Sequence, residues 1–240
     1  MFGIAIQRLC ARLRQRAFCF SRLHATRLRE YGLRTDLVVL EGEYAGSLEP
    51  EGGVPVDSCV VFAGRLIPEK RAESVVPAIA LASAQVSGLH GVIFGDGPQR
   101  DAVIAAIAAL ERPEIVSAPG FVDAAELQAA VRGACCMVLP SRREGYGIIV
   151  LEAAVYGTPS IVVREPDNAA VELIEEGVNG IISASADPAD LAAAIVRIHA
   201  AGEALRESTR EWFGRNARRL SLDSSLATVL ATYESAIARR

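Results

Sequence analysis

The sequence contains little of what marks several other classes of protein. Only 5% of its 240 residues are aromatic, three are histidines, and no two cysteines form a CxxC pair. The histidines lie at no recognised ligand spacing from cysteines or carboxylates, so we expect no structural zinc site. No apolar run reaches the roughly 18 residues that a membrane-spanning helix needs.

A strong excess of charge is also missing. The formal net charge is −4, which argues against a nucleic-acid-binding protein. The five cysteines are odd in number, and the neighbours Cys135 and Cys136 lie in an apolar run where small buried side chains are expected. This cysteine usage predicts a reducing compartment and therefore a cytoplasmic protein.

The first 29 residues lack acidic side chains altogether. Their basic residues are Arg8, Arg12, Arg14, Arg16, Arg22, Arg27 and Arg29. Three interpretations stay open for this segment: a solvated basic helix face, a helix on an anionic membrane surface, and a mitochondrial transit peptide. The second would place the protein peripherally at a membrane.

From residue 57 onward, short apolar runs alternate with helical stretches. Strands are predicted at residues 60–62, 91–94, 114–116, 135–139, 160–163 and 180–182, and helices at 72–86, 99–110, 124–131, 148–156, 169–176 and 188–199. This alternation predicts an α/β protein with a doubly wound, Rossmann-like parallel sheet. Ligands of such sheets bind beyond the carboxyl ends of the strands.

The segment 42–57 is rich in glycine, proline and acidic residues and is predicted to be a linker. It divides the chain into residues 1–56 and a larger domain at 57–240. Within the larger domain, residues 226–237 place their apolar side chains on one helical face, so we expect this helix to dock on another surface.

Two glycine-containing loops follow predicted strands. Gly64 and Arg65, with Lys70 five positions later, have the composition of a clamp for a diphosphate, since arginine offers a fork of donors and lysine a point charge. Gly95 begins a Gly-Asp-Gly-Pro turn that would let a ligand approach the backbone closely. Taken alone, the first loop is better explained by solvated cations and the second by an ordinary turn between a strand and a helix.

A third segment carries two glutamates on either side of a helix start. Glu144 lies in the loop before the helix predicted from Ile148, and Glu152 lies one turn inside it. Gly147 would allow a ligand to reach the free N–H groups of this helix. Three interpretations remain open from spacing alone: sugar and ribose binding, a carboxylate pair for hydrolysis, and a capped helix with solvated acids.

The four stretches FAGRLIPEK, FGDGP, PGFV and SRREGYGIIVLEAAVYGTPSIV occur in this order. In order and spacing they resemble the C-terminal domain of glycosyltransferase family 4, whose members have the GT-B fold and retain anomeric configuration. The later stretch DNAAVELIEEGVNG resembles the same family. The resemblance covers residue 57 to the end and, more loosely, the chain from Phe18.

The resemblance implies a role for each residue of these loops. Arg65 and Lys70 would hold the donor diphosphate and stabilise charge on the leaving nucleotide, so no metal and no other cofactor is implied. Glu144 would contact the donor hexose and Glu152 the ribose. The remaining contacts would be made by the backbone or lie near the nucleotide, at Gly64, Gly95, Val122, Gly147 and Ile148.

The resemblance fails at the N-terminus, where the acceptor-binding domain of the family is almost absent. Its remnant would consist of a helix at 4–16, a strand at 18–20 followed by Ser21, a helix at 21–31 and a strand at 37–40. Three explanations stay open: a separate polypeptide supplies the acceptor domain, the chain is a fragment, or it is a non-catalytic donor-binding partner of another glycosyltransferase. A sugar-nucleotide epimerase of the same fold is disfavoured, because those enzymes also need the missing domain.

Overall fold

The computed structural model describes residues 2–13, 15–52 and 56–238. The chain forms two compact units, a smaller one made of Met1–Gly46 with Asn216–Arg240, and a larger one, Ser47–Arg215. The C-terminal helix thus falls in the smaller unit, whereas the sequence assigned it to the domain at 57–240; that division remains a prediction.

The secondary structure consists of helices and short strands in alternation. The helices are α1 (Phe2–Ala11), α2 (Arg22–Glu30), α3 (Val75–Ser83), α4 (Arg100–Ala108), α5 (Ala124–Gly133), α6 (Ile148–Ala154), α7 (Pro188–Asn216) and α8 (Leu222–Ile237). The strands are β1 (Ala17–Cys19), β2 (Leu37–Val39), β3 (Cys59–Ala63), β4 (His90–Phe94), β5 (Val116–Gly120), β6 (Cys136–Leu139), β7 (Arg143–Glu144), β8 (Ser160–Val163), β9 (Asp167–Asn168) and β10 (Gly180–Ser183).

The larger unit is built on a six-stranded sheet with the order β10-β8-β6-β3-β4-β5, and every neighbouring pair in it is parallel. All four residues of β6 and of β8 are buried, as expected for strands covered on both faces. Val60 and Phe62 of β3 pack into one apolar cluster with α3 and α7, while Val61 packs into a second cluster with α5 and α6. The predicted doubly wound sheet is confirmed.

The strand order reverses between β3 and β6. From β3 the chain extends the sheet through β4 and β5 on one side, then returns to add β6, β8 and β10 on the other. At such a reversal the loops after the two adjacent strands diverge and leave a crevice at the carboxyl edge of the sheet, where ligands of this architecture bind. The loops after β3 and β6 therefore border the crevice.

Two predicted elements are wrong. The strand expected at 114–116 is a 3-10 turn, Pro113–Ile115, because Pro113 suits the start of a helical turn. The strand follows it as β5, which tolerates Pro119 because β5 is at the edge of the sheet. The helix expected at 169–176 is a 3-10 helix, Ala169–Leu173. It stops because the buried amide of Asn179 accepts from the Glu175 N–H at 2.8 Å and donates to the Leu173 carbonyl at 2.8 Å.

The helix at 188–199 continues as α7 to Asn216, with a non-helical kink at Gly202. Beyond the kink, Arg206 is buried, and one guanidinium nitrogen donates to the Ala134 carbonyl at 2.7 Å and to Thr158 Oγ1 at 3.2 Å. Its other terminal nitrogen donates to the carbonyls of Arg132 and Tyr156 at 3.0 and 3.1 Å. Desolvation lowers the pKa of Arg206, whose hydrogen bonds tie α7 to the ends of α5 and α6.

The smaller unit contains the parallel pair β1 and β2 together with α1, α2 and α8. Ser225 on α8 donates its hydroxyl proton to the Gly42 carbonyl at 2.7 Å, which joins α8 to the segment after β2. The helix predicted at 4–16 ends at Ala11. Large apolar side chains remain exposed on two of these helices and just after α1; they are Ile6, Leu9, Leu13, Leu222, Leu226, Leu230, Tyr233 and Ile237. In the described part of the chain, no helix has both the length and the apolar character of a membrane span.

Candidate functional site

The loops after β3 and β4 pack against each other through glycine. The Gly64 N–H donates to the Phe94 carbonyl at 3.2 Å, and Gly95 adopts φ +127°. A Cβ atom on Gly95 would lie 1.9 Å from the Gly64 carbonyl oxygen. Glycine is required at this position by the close approach of the two loops.

A cavity of about 350 Å³ opens beyond these loops. Its walls include Phe94, Phe121, Leu127 and Ile149, so it is mainly apolar. Four of the residues singled out in the sequence line it: Gly64, Arg65, Gly95 and Val122. Phe121, which the sequence analysis missed as a site residue, is 84% exposed. An exposed aromatic between a strand end and the N-cap residue Asp123 is the signal that could have found it.

Lys70 and Glu144 come together although they are 74 residues apart. Lys70 lies in the loop after β3 and Glu144 in β7, soon after β6, so their ion pair spans the reversal of strand order. Lys70 Nζ donates to Glu144 Oε2, and their side chains are only 16% and 14% exposed. The two loops are also joined by the Arg142 N–H, which donates to the Glu69 carbonyl at 2.8 Å.

Glu144 is held in place by a short parallel ribbon of β7 and β9, in which Glu144 is in register with Asn168. Asn168 is buried, and its Nδ2 donates to the carbonyls of Ser141 at 3.1 Å and Val163 at 2.9 Å. This asparagine was not recognised as part of the site. Its only sequence signal is an amide five residues after a buried strand and immediately before a run of small apolar residues.

Glu152 and the start of α6 lie outside this ion pair. Gly147 adopts φ +95° and precedes Ile148, whose side chain is partly exposed. Glu152 keeps an accessible surface, but burial against neighbouring groups raises the pKa of its carboxyl. Among the described residues, neither Glu152 nor Arg65 forms an ion pair, so a carboxylate and a guanidinium remain available to a ligand.

The described residues contain no group of three or more histidine, cysteine, aspartate or glutamate side chains that could hold a metal ion. The groups described above are an apolar cavity, two cations (Arg65 and Lys70) and two carboxylates (Glu144 and Glu152), all at the carboxyl edge of a parallel sheet. Such a set suits a ligand with a flat apolar part, a multiply charged anionic part and several hydroxyls.

Comparison with known proteins identifies the class that this fold and site define. Residues 54–220 match the family described as Glycosyl transferases group 1, and the chain belongs to this family. It is 30% identical over 200 residues to a D-inositol 3-phosphate glycosyltransferase of Acidothermus cellulolyticus, an alignment covering 78% of this chain and 43% of the relative. It is also 30% identical over 139 residues to the alpha-D-kanosaminyltransferase of Streptomyces kanamyceticus, covering 58% of this chain and 36% of the relative. The chain thus spans less than half the length of these relatives.

Solved structures share the fold. HepE from Anabaena in complex with UDP-glucose superimposes with a TM-score of 0.80 at 18% identity, covering 98% of this chain and 68% of HepE. The pneumococcal O-GlcNAc transferase GtfA in complex with UDP and GlcNAc has a TM-score of 0.73 at 20% identity, covering 92% of this chain and 45% of GtfA. The Rossmann-like architecture expected from the sequence is thereby confirmed.

Proposed function

We propose that the larger unit binds a nucleotide-diphosphate sugar and supplies the donor half of a retaining glycosyltransferase. One observation carries this proposal: the Lys70–Glu144 ion pair spans the reversal of strand order, and the loop that carries Lys70 also contributes Arg65 to the wall of an apolar cavity. Membership of the glycosyl transferases group 1 supports the reaction class. HepE and GtfA, which share the fold, were solved with UDP or UDP-glucose bound.

The proposed roles follow from the chemistry of each group. The cavity takes the nucleobase, with the backbone of Val122 as a contact and Gly64 and Gly95 leaving room beside it. Arg65 and Lys70 neutralise the diphosphate and stabilise the charge that grows on it as the sugar leaves. With two cations performing this task, neither a metal nor another cofactor is needed.

The carboxylates bind the sugars in this proposal. Glu144 lies beside Lys70 and contacts the hexose hydroxyls, while Glu152 accepts hydrogen bonds from the ribose. The backbone at Gly147 and Ile148 meets the phosphate or the hexose. Retention of configuration follows if the leaving phosphate assists deprotonation of the acceptor on the same face of the sugar. NMR analysis of the anomeric product tests retention directly.

Transfer also needs an acceptor site, which we propose lies in a further domain or a separate polypeptide that covers part of the smaller unit. The exposed apolar side chains of α1 and α8 support this part of the proposal. An anionic membrane surface is the competing occupant, because the segment around α1 is basic. Flotation with phosphatidylserine vesicles distinguishes a protein domain from a membrane as the occupant. Co-flotation of the protein with the vesicles favours the membrane.

Calorimetry with UDP, GDP, ADP and dTDP and their hexose derivatives tests the donor site. We expect one of these families to bind and Lys70→Ala or Glu152→Ala to weaken binding by about tenfold. Arg197→Ala, which removes an exposed ion pair with Glu176 on the same unit, serves as the control and should bind like the parent. Binding of none of these compounds, or unchanged affinity in Glu152→Ala, would contradict the proposal.

A further inference from the structure

Arg71, the residue after Lys70, has an unusual backbone conformation. Its φ and ψ are 50° and 39°, and among the described residues it is the only non-glycine residue with positive φ. A side chain with a Cβ atom is disfavoured in this left-handed region, which glycine occupies freely. Such a conformation persists in a folded protein only when surrounding contacts maintain it.

The contact that accompanies this conformation is a second ion pair. Arg71 Nη2 lies 2.6 Å from Glu165 Oε1, and each side chain is 23% exposed. The backbone carbonyl of Arg71 also accepts the Ser74 hydroxyl proton at 2.8 Å, which fixes the turn into the following helix.

Glu165 lies two residues before β9, in the turn that leads into the ribbon carrying Glu144. The Glu165 carbonyl accepts from the Asn168 N–H at 3.2 Å, and Asn168 is in register with Glu144 across the β7–β9 pair. Two consecutive residues of the loop after β3, Lys70 and Arg71, are therefore paired with two carboxylates at this ribbon, one in β7 and one in the turn just before β9.

We infer that the Arg71–Glu165 pair is a positioning device that holds Lys70 in place, including when Lys70 exchanges Glu144 for the donor diphosphate; this last step rests on the proposed function. A diphosphate that attracts Lys70 weakens its bond to Glu144. The Arg71–Glu165 pair then remains as the side-chain link between this loop and the ribbon. The pair restricts the backbone that carries Lys70. The Lys70 side chain therefore loses less conformational freedom when its ammonium group binds the diphosphate.

The environment of Arg71 argues against a direct contact with the ligand. Its Nε is buried, and one of its two terminal nitrogens, Nη2, donates to Glu165 Oε1 at 2.6 Å. The guanidinium is therefore directed toward the turn before β9. Its effect on a bound diphosphate should pass through Lys70.

The chain contains a single lysine, Lys70, which makes this inference directly measurable. Selective ¹⁵N-lysine labelling gives one side-chain ammonium signal, whose shift and linewidth report how Lys70 is held. The variants Arg71→Gln and Glu165→Gln remove the ion pair. The variant Arg71→Gly also removes the Cβ atom that is disfavoured at the positive φ of this position. Arg197→Gln removes a pair far from this loop in sequence and is the matched control.

In the ligand-free protein, we expect the Lys70 signal to shift or sharpen in all three site variants and to stay unchanged in Arg197→Gln. Nucleoside diphosphate affinity should fall about three- to tenfold in the site variants. Thermal stability of Arg71→Gly should be preserved, since glycine suits the observed φ. In a Lys70→Ala background, Arg71→Gln should have no further effect on affinity.

An unchanged Lys70 signal in the three variants would overturn the inference, as would an Arg71→Gln effect on affinity that persists fully in the Lys70→Ala background. If the parent protein binds no nucleoside diphosphate, the proposed function fails. The ligand-free signal still decides whether Arg71 and Glu165 position Lys70.

Discussion

The fold perturbs the protonation of Glu152, a carboxyl group of the proposed site. Burial raises its pKa above the ordinary value of 4.5, so the folded chain holds this proton more tightly than the unfolded chain. The contribution of Glu152 to the free energy of unfolding is therefore fully present below the pKa of the unfolded chain. It is lost as the pH rises through the higher pKa of the folded chain. Ionised Glu152 destabilises the protein at neutral pH.

We therefore predict that Glu152→Gln melts at a higher temperature than the parent at pH 7, and that the difference vanishes below about pH 4. Thermal unfolding followed by circular dichroism across this range provides the measurement. The same variant should bind nucleotide sugars less well, as expected where a site is maintained at the expense of stability. A variant less stable than the parent at pH 7 would contradict the sign of this argument.

Arg206 is the second residue whose replacement should have a clear effect. Arg206→Met leaves four acceptors at the ends of α5 and α6 without their donor, two of them in buried and two in partly buried hydrogen bonds. We predict a loss of about 2–4 kcal/mol in the free energy of unfolding, measured by urea denaturation. Arg197→Met, at an exposed position, should change it by less than about 0.5 kcal/mol. Equal effects of the two substitutions would mean that the buried hydrogen bonds contribute little.

At the scale of elements, the start of α6 offers a matched pair of glycines. Gly147 has φ +95°, and a Cβ there would lie 2.6 Å from Ala170 Cβ, whereas a Cβ on Gly145 would meet nothing within 4 Å. Gly147→Ala should therefore destabilise the protein by about 1–3 kcal/mol and weaken donor binding, while Gly145→Ala should do neither. Chemical denaturation and calorimetry on both variants give the answer. Similar behaviour of the two would remove the structural reason for glycine at 147.

Elements with local signals were predictable from the sequence. Asp123 caps α5 through the Glu126 N–H at 2.9 Å, Pro188 begins α7, and Gly157 follows α6 with φ +73°. Buried runs such as that of β6 were recognisable because no alternation is needed in a strand covered on both faces.

Features that depend on a specific side-chain partner were not predictable. The amide of Asn179 ends the 3-10 helix by taking the Glu175 N–H, and nothing in the helical pattern of that segment indicates it. Lys70 and Glu144 were each identified, but their pairing follows only from the order of β3 and β6 in the sheet. The link from Arg71 to Glu165 had no local signal, since arginine gives no hint of a positive φ.

At the scale of the whole molecule, both apolar clusters of the sheet consist of residues within Ser47–Arg215. We predict that a fragment with these bounds folds by itself and binds the same nucleoside diphosphate as the full chain. At a ligand concentration of 100 times Kd, binding should stabilise the fragment by about 2.7 kcal/mol. Differential scanning fluorimetry with and without the nucleotide measures both properties. A fragment that folds but no longer binds would assign part of the donor site to the smaller unit.

The turn around Asn179 has a consequence for the chemical ageing of the protein. Asparagine followed by glycine, as in Asn179-Gly180, is the sequence most prone to deamidation through a cyclic succinimide, which requires the side-chain amide to swing toward the next backbone nitrogen. In the folded chain both ends of this amide are engaged, by the Glu175 N–H and the Leu173 carbonyl, and the residue is buried. Deamidation at this position should therefore proceed only while the turn is open, so isoaspartate at residue 179 would accumulate as a chemical record of how often this part of the molecule unfolds.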